Sequence, residues 1–358
     1  MAHIETISTR PFSLAMEGEL RWGASSRLSE LTHVLVSVTT NEGHTGVAEA
    51  PVRPTIYGET VASIETIIAQ HLAPQLAGLE LSDSEAISKA LSSVANNHAA
   101  KGALDIAIYD ARARAAGKTL LEAQRGPQEK IRVSFILGIA ELNDMVEEAR
   151  RVFDAGVSVF KIKIGRDLKH DEATIKALWH EFSGEDVILY ADANETLDPA
   201  KAPQILEHLA NLGIAYIEEP LPVHLLEARA TLKAQNIIPI IADDSCFSIR
   251  DLERELAFET FDILNIKPAR TGYTESEKQL DLAKRAGKGV MLGSQACSGL
   301  GTLHTAIFAT KAGVTHPSEL SFPLKLKEDS LKKRLTYKGG LLTTEHLNDA
   351  QLNLRWRI

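Results

Sequence analysis

The chain has 358 residues, 44% of them hydrophobic and 24% charged, with a formal net charge of −9. That length exceeds a bare (β/α) barrel of about 250 residues, so a second, smaller unit is expected. Mixed charges without a basic run argue against a nucleic-acid surface, no apolar stretch is long enough to span a membrane, and two cysteines make no disulfide framework, pointing to a reducing cytoplasm.

The opening Met1-Ala2-His3-Ile4-Glu5 has neither the charged nor the apolar region of a secretory leader. Residues 33–38 and 45–50 flank Asn41-Glu42-Gly43, which predicts a β-hairpin. Residues 62–76 and 103–116 read as helices. Residues 144–155 place Met145, Ala149, Val152 and Phe153 on one helical face, with Gly156 positioned to end it. Further helices are predicted over 199–212 and 275–286.

Val159-Phe160-Lys161-Ile162-Lys163-Ile164-Gly165 puts two lysines into an otherwise buried strand pattern. Residues two apart on a strand share a face, with Cβ atoms roughly 7 Å apart. Two ammonium groups that close repel and burial desolvates them, so both effects lower a lysine pKa toward the range of a base. A sheet-end pair reaching to solvent is the simpler alternative for this stretch alone.

Three apolar runs follow, each closing on an acid. Residues 187–191 lead to Asp192 with Asn194 two beyond, residues 214–217 to Glu218-Glu219-Pro220, and residues 238–242 to Asp243-Asp244-Ser245. A fourth run, residues 261–266, ends at Lys267. Strand starts recur roughly every 25 residues, the beat of one β-α unit in an eight-stranded barrel whose active site lies at the strands' C-terminal ends. Asp192, Glu218 and Asp243 then converge in one bowl. Unpaired, they repel, and an all-oxygen set suits Mg²⁺, or Mn²⁺ as its substitute. Singly, each acid could instead cap the helix after its strand. Lys163 and Lys267 would face a bound carboxylate from opposite sides.

Lys161-Ile162-Lys163, Asp192-Ala193-Asn194, Ile217-Glu218-Glu219-Pro220, Ala242-Asp243-Asp244-Ser245 and Asn265-Ile266-Lys267 together resemble the muconate-lactonizing branch of the enolase superfamily. The resemblance implies a modified TIM (β/α) barrel over residues 126–325, with an α+β capping domain from residues 1–125 completed by 326–358. It implies that Asp192, Glu218 and Asp243 ligate Mg²⁺ and that Lys163 and Lys267 are the acid/base pair. Lys161 would support the substrate carboxylate and lower the Lys163 pKa. Asn194 and Asp244 would orient the ligands, although the family usually has Glu where Asp244 stands. Two loops at the barrel mouth, residues 16–27 with Trp22 and 51–58 with Arg53 and Tyr57, would set substrate choice. Ordinary packing is the competing reading for Trp22 and Tyr57.

The pattern departs from the family at two places. Many relatives carry Glu where Cys297 stands; the cysteine either faces the substrate or is buried and inert. Near the eighth strand, Glu319-Leu320-Ser321-Phe322-Pro323 replaces the Asp-x-Asp that holds the substrate ammonium in dipeptide epimerases, and is closer to the muconate cycloisomerases. The glycine-rich stretch 293–302 lacks the lysine of a phosphate loop. The residues therefore predict a Mg²⁺-dependent isomerase that removes a proton α to a carboxylate through a metal-stabilised enolate, a cycloisomerase first. A racemase or epimerase of N-acyl amino acids or dipeptides, an o-succinylbenzoate synthase-like lyase and a non-catalytic metal-bound protein stay open. The expected partners are a small carboxylic acid and further copies of the chain, as an octamer or dimer.

Overall fold

The computed structural model describes residues 2–23, 26–350, 354 and 355. Three antiparallel strands, β1 (Ile4–Trp22), β2 (Ser26–Thr40) and β3 (Thr45–Pro51), form a sheet in that order. The predicted hairpin is the β2–β3 pair, with Thr39 opposite Thr45 and His33 opposite Pro51. β1 is a further strand that the sequence pattern hides. It pairs with β2 from Ile4 opposite Thr40 to Trp22 opposite Ser26, with register breaks near Ile4 and between Ala15 and Leu20. Those breaks interrupt the two-residue alternation that marks a strand. Residues 16–27, expected as a loop, are thus mostly the tip of this hairpin; Ala24 and Ser25 lie outside the described residues.

The helix His98–Ala115 ties this sheet to the rest of the chain, and its small residues explain how. A Cβ on Gly46 of β3 would lie 2.1 Å from the Ala107 carbonyl oxygen, so only glycine permits this contact. Elsewhere on the helix, a Cβ on Gly102 would lie 2.8 Å from the Ala269 carbonyl oxygen. Asp110 accepts the Val47 amide at 3.0 Å, and Asp105 accepts the amide and hydroxyl of Thr274 at 2.9 and 2.7 Å. Residues 62–76 are not one regular helix. Val61–Ile67 passes into a wider turn, Ile68–Leu72, then Ala73–Leu76, because Pro74 has no amide for the regular ladder.

β4 (Lys130–Arg132) precedes seven parallel strands: β5 (Phe135–Leu137), β6 (Val159–Lys163), β7 (Ile188–Asp192), β8 (Ile214–Glu218), β9 (Ile240–Ala242), β10 (Ile263–Ile266) and β11 (Gly289–Leu292). They lie side by side in chain order. β12 (Leu341–Thr343) pairs with β4. Helices cover the outer face, which is why the strands read as continuous apolar runs. The eighth strand that the spacing predicts does not form among the described residues. Ser318 makes a single parallel bridge to Val133, and the Glu319 amide reaches the Leu292 carbonyl at 2.8 Å. Pro323 then starts a short 3₁₀ turn, Phe322–Lys325, so pairing stops there.

Alternation places Val159, Lys161 and Lys163 on one face of β6, with Tyr190 and Asp192 likewise on β7 and Tyr216 and Glu218 on β8. Val159, Tyr190, Ile241, Ile263 and Met291 pack together as an apolar floor. The charged residues stand two or four residues nearer the strands' C-terminal ends. The predicted helix 275–286 begins earlier, at Pro268, and is interrupted at Gly272, whose φ is +67°. A side chain there would strike Asp105. No helix among the described residues is long and apolar enough to cross a membrane.

Phe247 meets Tyr57 and His98 edge to face, and those two rings pack on each other at a tilt. Burial, with Lys101 and Arg270 nearby, lowers His98 from 6.5 to about 4. Between those values the unfolded chain binds a proton that the folded chain refuses, so His98 costs stability as pH falls through that window. Chemical denaturation of wild type and His98→Phe at pH 7 and pH 5 tests this. The wild type should lose more stability than the variant on acidification.

Candidate active site

Pairing in the barrel sheet sets the charged residues in a row. Lys163 is the Cα partner of Asp192, and Asp192 is the partner of Glu218. Asp243 follows β9, and Lys267 follows β10 as the residue before the helix Pro268–Arg285. All five are buried.

Charged groups out of water must pair. The Lys161 ammonium donates to Glu218 and Glu319 at 2.6 Å each and lies 3.1 Å from Asp192. Lys163 donates to Asp192 at 2.5 Å and to the Asn194 side-chain oxygen at 3.0 Å. Lys267 donates to Asp243. Asn265, two residues before Lys267, donates to Glu218 at 3.3 Å.

Asp192, Glu218 and Asp243 stand at the ends of three consecutive strands, each beside a lysine ammonium. Among the described residues no three Asp, Glu, His or Cys stand grouped to hold a metal ion. Ammonium groups bridge or flank the acids instead, since each carboxylate takes the nearest positive charge. The donor set nevertheless fits a hard divalent cation in chemistry. Asp192, Glu218 and Asp243 supply buried carboxylates from consecutive strands, and Asp243 Oδ1 is buried without a hydrogen-bond partner. Burial pushes the Glu218 carboxyl well up; Lys161 opposes this, while Asp192, Asp243 and Glu319 raise it further. The three acids thus feel one another's charge.

At Lys161 and Lys267 the shift runs opposite to the lowering that burial of a lysine pair suggests. Burial pulls Lys161 down, but Asp192, Glu218 and Glu319 outweigh it and hold the ammonium well above its ordinary value. Burial lowers Lys267 too, and Asp243 more than restores it against Arg270. Carboxylates on neighbouring strands were missing from the argument based on the lysine pair. The same lysines, against the push of burial, hold Asp192 and Asp243 below the usual carboxylate range. Asp244 is raised to about 6, first by burial and then by Asp243.

Lys161, Lys163, Asn194, Asp243, Asp244 and Lys267 all line one open cavity of about 70 Å³. Trp22 and Arg53 line it as well. The Arg53 guanidinium is already occupied, donating to the carbonyls of Val52, Gln295 and Ala296 and contacting His33. It ties the end of β3 to the loop after β11. Two other candidates lie elsewhere. Tyr57 packs on His98 and Phe247, its hydroxyl buried without a partner. Cys297 is buried outside the cavity lining, its thiol pushed up by burial and by Glu49. As a short side chain beside the buried Glu49–Ser298 contact, it packs against the cap sheet rather than facing the cavity.

A support behind the row escaped the sequence reading. Glu219 accepts the Asp243 amide at 2.7 Å and the amide and hydroxyl of Ser245 at 2.9 and 2.6 Å. Its other oxygen meets Arg229 at 3.0 Å, and Arg229 meets Glu255 at 2.7 Å. Glu219 has φ +36°, and Asn194, Glu195 and Ala296 are also left-handed, a clustering of strain typical of working sites. The only sequence signal was that Glu219 follows Glu218 directly and so faces outward from the strand. Arg270 was likewise missed; it reaches the Asp243 carbonyl at 3.2 Å and its carboxylate at 3.3 Å.

Residues 144–347 match the enolase C-terminal domain-like family model, and residues 9–123 match the mandelate racemase / muconate lactonizing enzyme N-terminal domain. The chain belongs to the mandelate racemase / muconate lactonizing enzyme family. A muconate lactonizing enzyme from Mucobacterium Smegmatis, solved with muconolactone, is 34% identical with a TM-score of 0.90, covering 95% of this chain and 94% of that one. A dipeptide epimerase from Enterococcus faecalis, solved with Mg and L-Leu-L-Tyr, is 25% identical with a TM-score of 0.88, covering 95% and 97%. An N-succinylamino acid racemase from Thermus thermophilus is 29% identical over 84% of this chain and 82% of its own. This member of the mandelate racemase / muconate lactonizing enzyme family is an isomerase of the enolase superfamily.

Glu219→Ala strands two amides and a hydroxyl and leaves the buried Arg229 guanidinium with Glu255 alone. It should cost about 3–5 kcal/mol, the range for breaking a buried ion pair, read as a shifted denaturant midpoint with an unchanged slope.

Proposed function

We propose that the chain racemises or epimerises a carboxylic acid at its α-carbon, with Lys163 and Lys267 transferring the proton on opposite faces, and that the acid is an N-acylated amino acid. The observation that carries this reading is that both lysines, set on strands either side of the acidic row, line the same cavity. A single base serves a cycloisomerase; two bases serve inversion.

Asp192, Glu218 and Asp243 are the residues that would hold Mg²⁺, or Mn²⁺ in its place. The ion would bind the substrate carboxylate and absorb the charge that develops as the α-proton leaves. Lys163 takes the proton from one enantiomer, and Lys267 delivers one to the other face; the roles reverse in the back reaction. Lys161, held by Glu218 and Glu319, presents fixed positive charge to the substrate carboxylate. Asn194 orients Lys163, and Asp244 stands beside Arg270 at 3.8 Å.

The acyl group follows from the acids that are not free. A dipeptide or free amino acid brings an ammonium that needs its own carboxylate. Glu319 is committed to Lys161, the Ser294 amide and Tyr190, and Ser321 donates to the Ser134 carbonyl. Glu319-Leu320-Ser321-Phe322-Pro323 points away from a substrate ammonium, which suits an N-acylated acid as well as a lactone-forming one. The 34% identity to a muconate lactonizing enzyme keeps lactonisation as the second reading.

Two measurements test the proposal. In D₂O with Mg²⁺, both enantiomers of an N-acetyl amino acid should exchange the α-proton. Lys163→Ala and Lys267→Ala should each lose about 10²–10⁴ in racemisation while exchanging one enantiomer only, each the opposite one. Lactonisation of cis,cis-muconate without α-exchange would replace this reading with the second. Glu218→Gln should weaken Mg²⁺ binding by calorimetry together with activity, whereas Lys163→Ala should leave Mg²⁺ binding largely intact.

A further inference from the structure

The cavity has two chemically different ends. One holds the lysines and acids. The other is built by Leu20 and Trp22 from the hairpin tip, Ile56 from the segment after β3, Ile136 from β5, and Ala296 and Phe322 from the segments after β11. Leu20 and Phe322 belong to one buried apolar cluster, with Trp22, Ile136 and Ala296 packed on it. This wall is a continuous feature rather than scattered side chains.

The hairpin is locked in place over the barrel. The Ile139 amide donates to the Arg21 carbonyl at 3.0 Å, and a Cβ on Gly138 would lie 2.7 Å from Leu20. Among the described residues that line the cavity, no cation stands at the apolar end except the Arg53 guanidinium, whose Nη1 and Nη2 already meet three carbonyls and His33. Arg166 donates to the Trp22 carbonyl at 3.2 Å but is not part of the lining.

We infer that the group extending from the substrate's α-carbon beyond the lysines is uncharged and apolar, so that the substrates are N-acyl derivatives of apolar amino acids with a neutral acyl group. This rests on the proton-transfer reading above and narrows it. A second carboxylate, as in an N-succinyl or aspartyl compound, meets Trp22 and Phe322 without a free cation. Desolvating a charge without a partner is far costlier than desolvating a methylene. A side-chain ammonium meets the same wall, because the carboxylates of the cavity are already paired with lysines or arginine.

The test is α-proton exchange in D₂O with Mg²⁺ on the full chain, using N-acetyl-L-leucine, N-acetyl-L-phenylalanine, N-acetyl-L-aspartate, N-acetyl-L-lysine and N-succinyl-L-leucine. The two neutral compounds should lead in kcat/KM by about 100-fold or more, the discrimination a pocket gains when a group is left unpaired. Trp22→Arg, at the partly exposed hairpin tip, should shrink that lead over N-succinyl-L-leucine while leaving the lead over N-acetyl-L-lysine. Phe322→Leu keeps the wall apolar and should preserve the ranking. Charged compounds exchanging as fast as the neutral ones overturn the inference and leave the two-lysine reading standing. Exchange with none of the five overturns both.

Discussion

Buried carboxylates at the ends of consecutive parallel strands cannot stand alone, and their pairing with lysines governs this molecule. Asp192, Glu218 and Asp243 are brought together by strand register, which the covering helices and the apolar floor enforce. The ammonium groups of Lys161, Lys163 and Lys267 make that crowding tolerable. The coupling runs in both directions. The attraction that keeps Asp192 and Asp243 ionised keeps the proton on Lys161 and Lys267. Whatever competes with these lysines for the carboxylates lowers the lysine pKa values by the same Coulomb term.

Around that row the chain is braced from behind. Glu219 gathers the backbone of Asp243 and Ser245 and passes the load to Arg229 and Glu255 in the helix layer. Arg270 pins the same loop from the other side, at the start of a helix whose Gly272 kink is fitted to Asp105 of the cap. The acidic loop therefore answers to barrel and cap together. This is how groups facing a reaction are kept within tenths of an ångström of a working geometry.

Much of this was readable from residues. Apolar runs closing on Asp192, Glu218, Asp243 and Lys267 marked the strands and their functional ends, because side-chain alternation and barrel topology leave few alternatives. Three things were not readable. β1 hides its period behind register breaks, and its tip projects beyond the regular sheet. The eighth barrel position looked like a strand by spacing, yet Pro323 limits it to the bridge at Ser318. The lysine pKa directions depended on which acids lie across from them, a fact of three-dimensional register rather than of local sequence. For Cys297 and Tyr57 the sequence held burial and packing open beside a cavity role, and both are buried or packed at the junction of the first sheet and the barrel.

The helix His98–Ala115 touches β3 at Gly46 and the barrel near Ala269 with almost no space for side chains. Such contacts freeze the two layers into one body and forbid swapping either for a distant counterpart. The hairpin tip meets the barrel through the apolar cluster of Leu20 with Phe322 and through the contacts at Gly138 and Ile139. A substitution among the apolar side chains at the rim can therefore alter selectivity while the frame that aligns the lysines and acids stays in place.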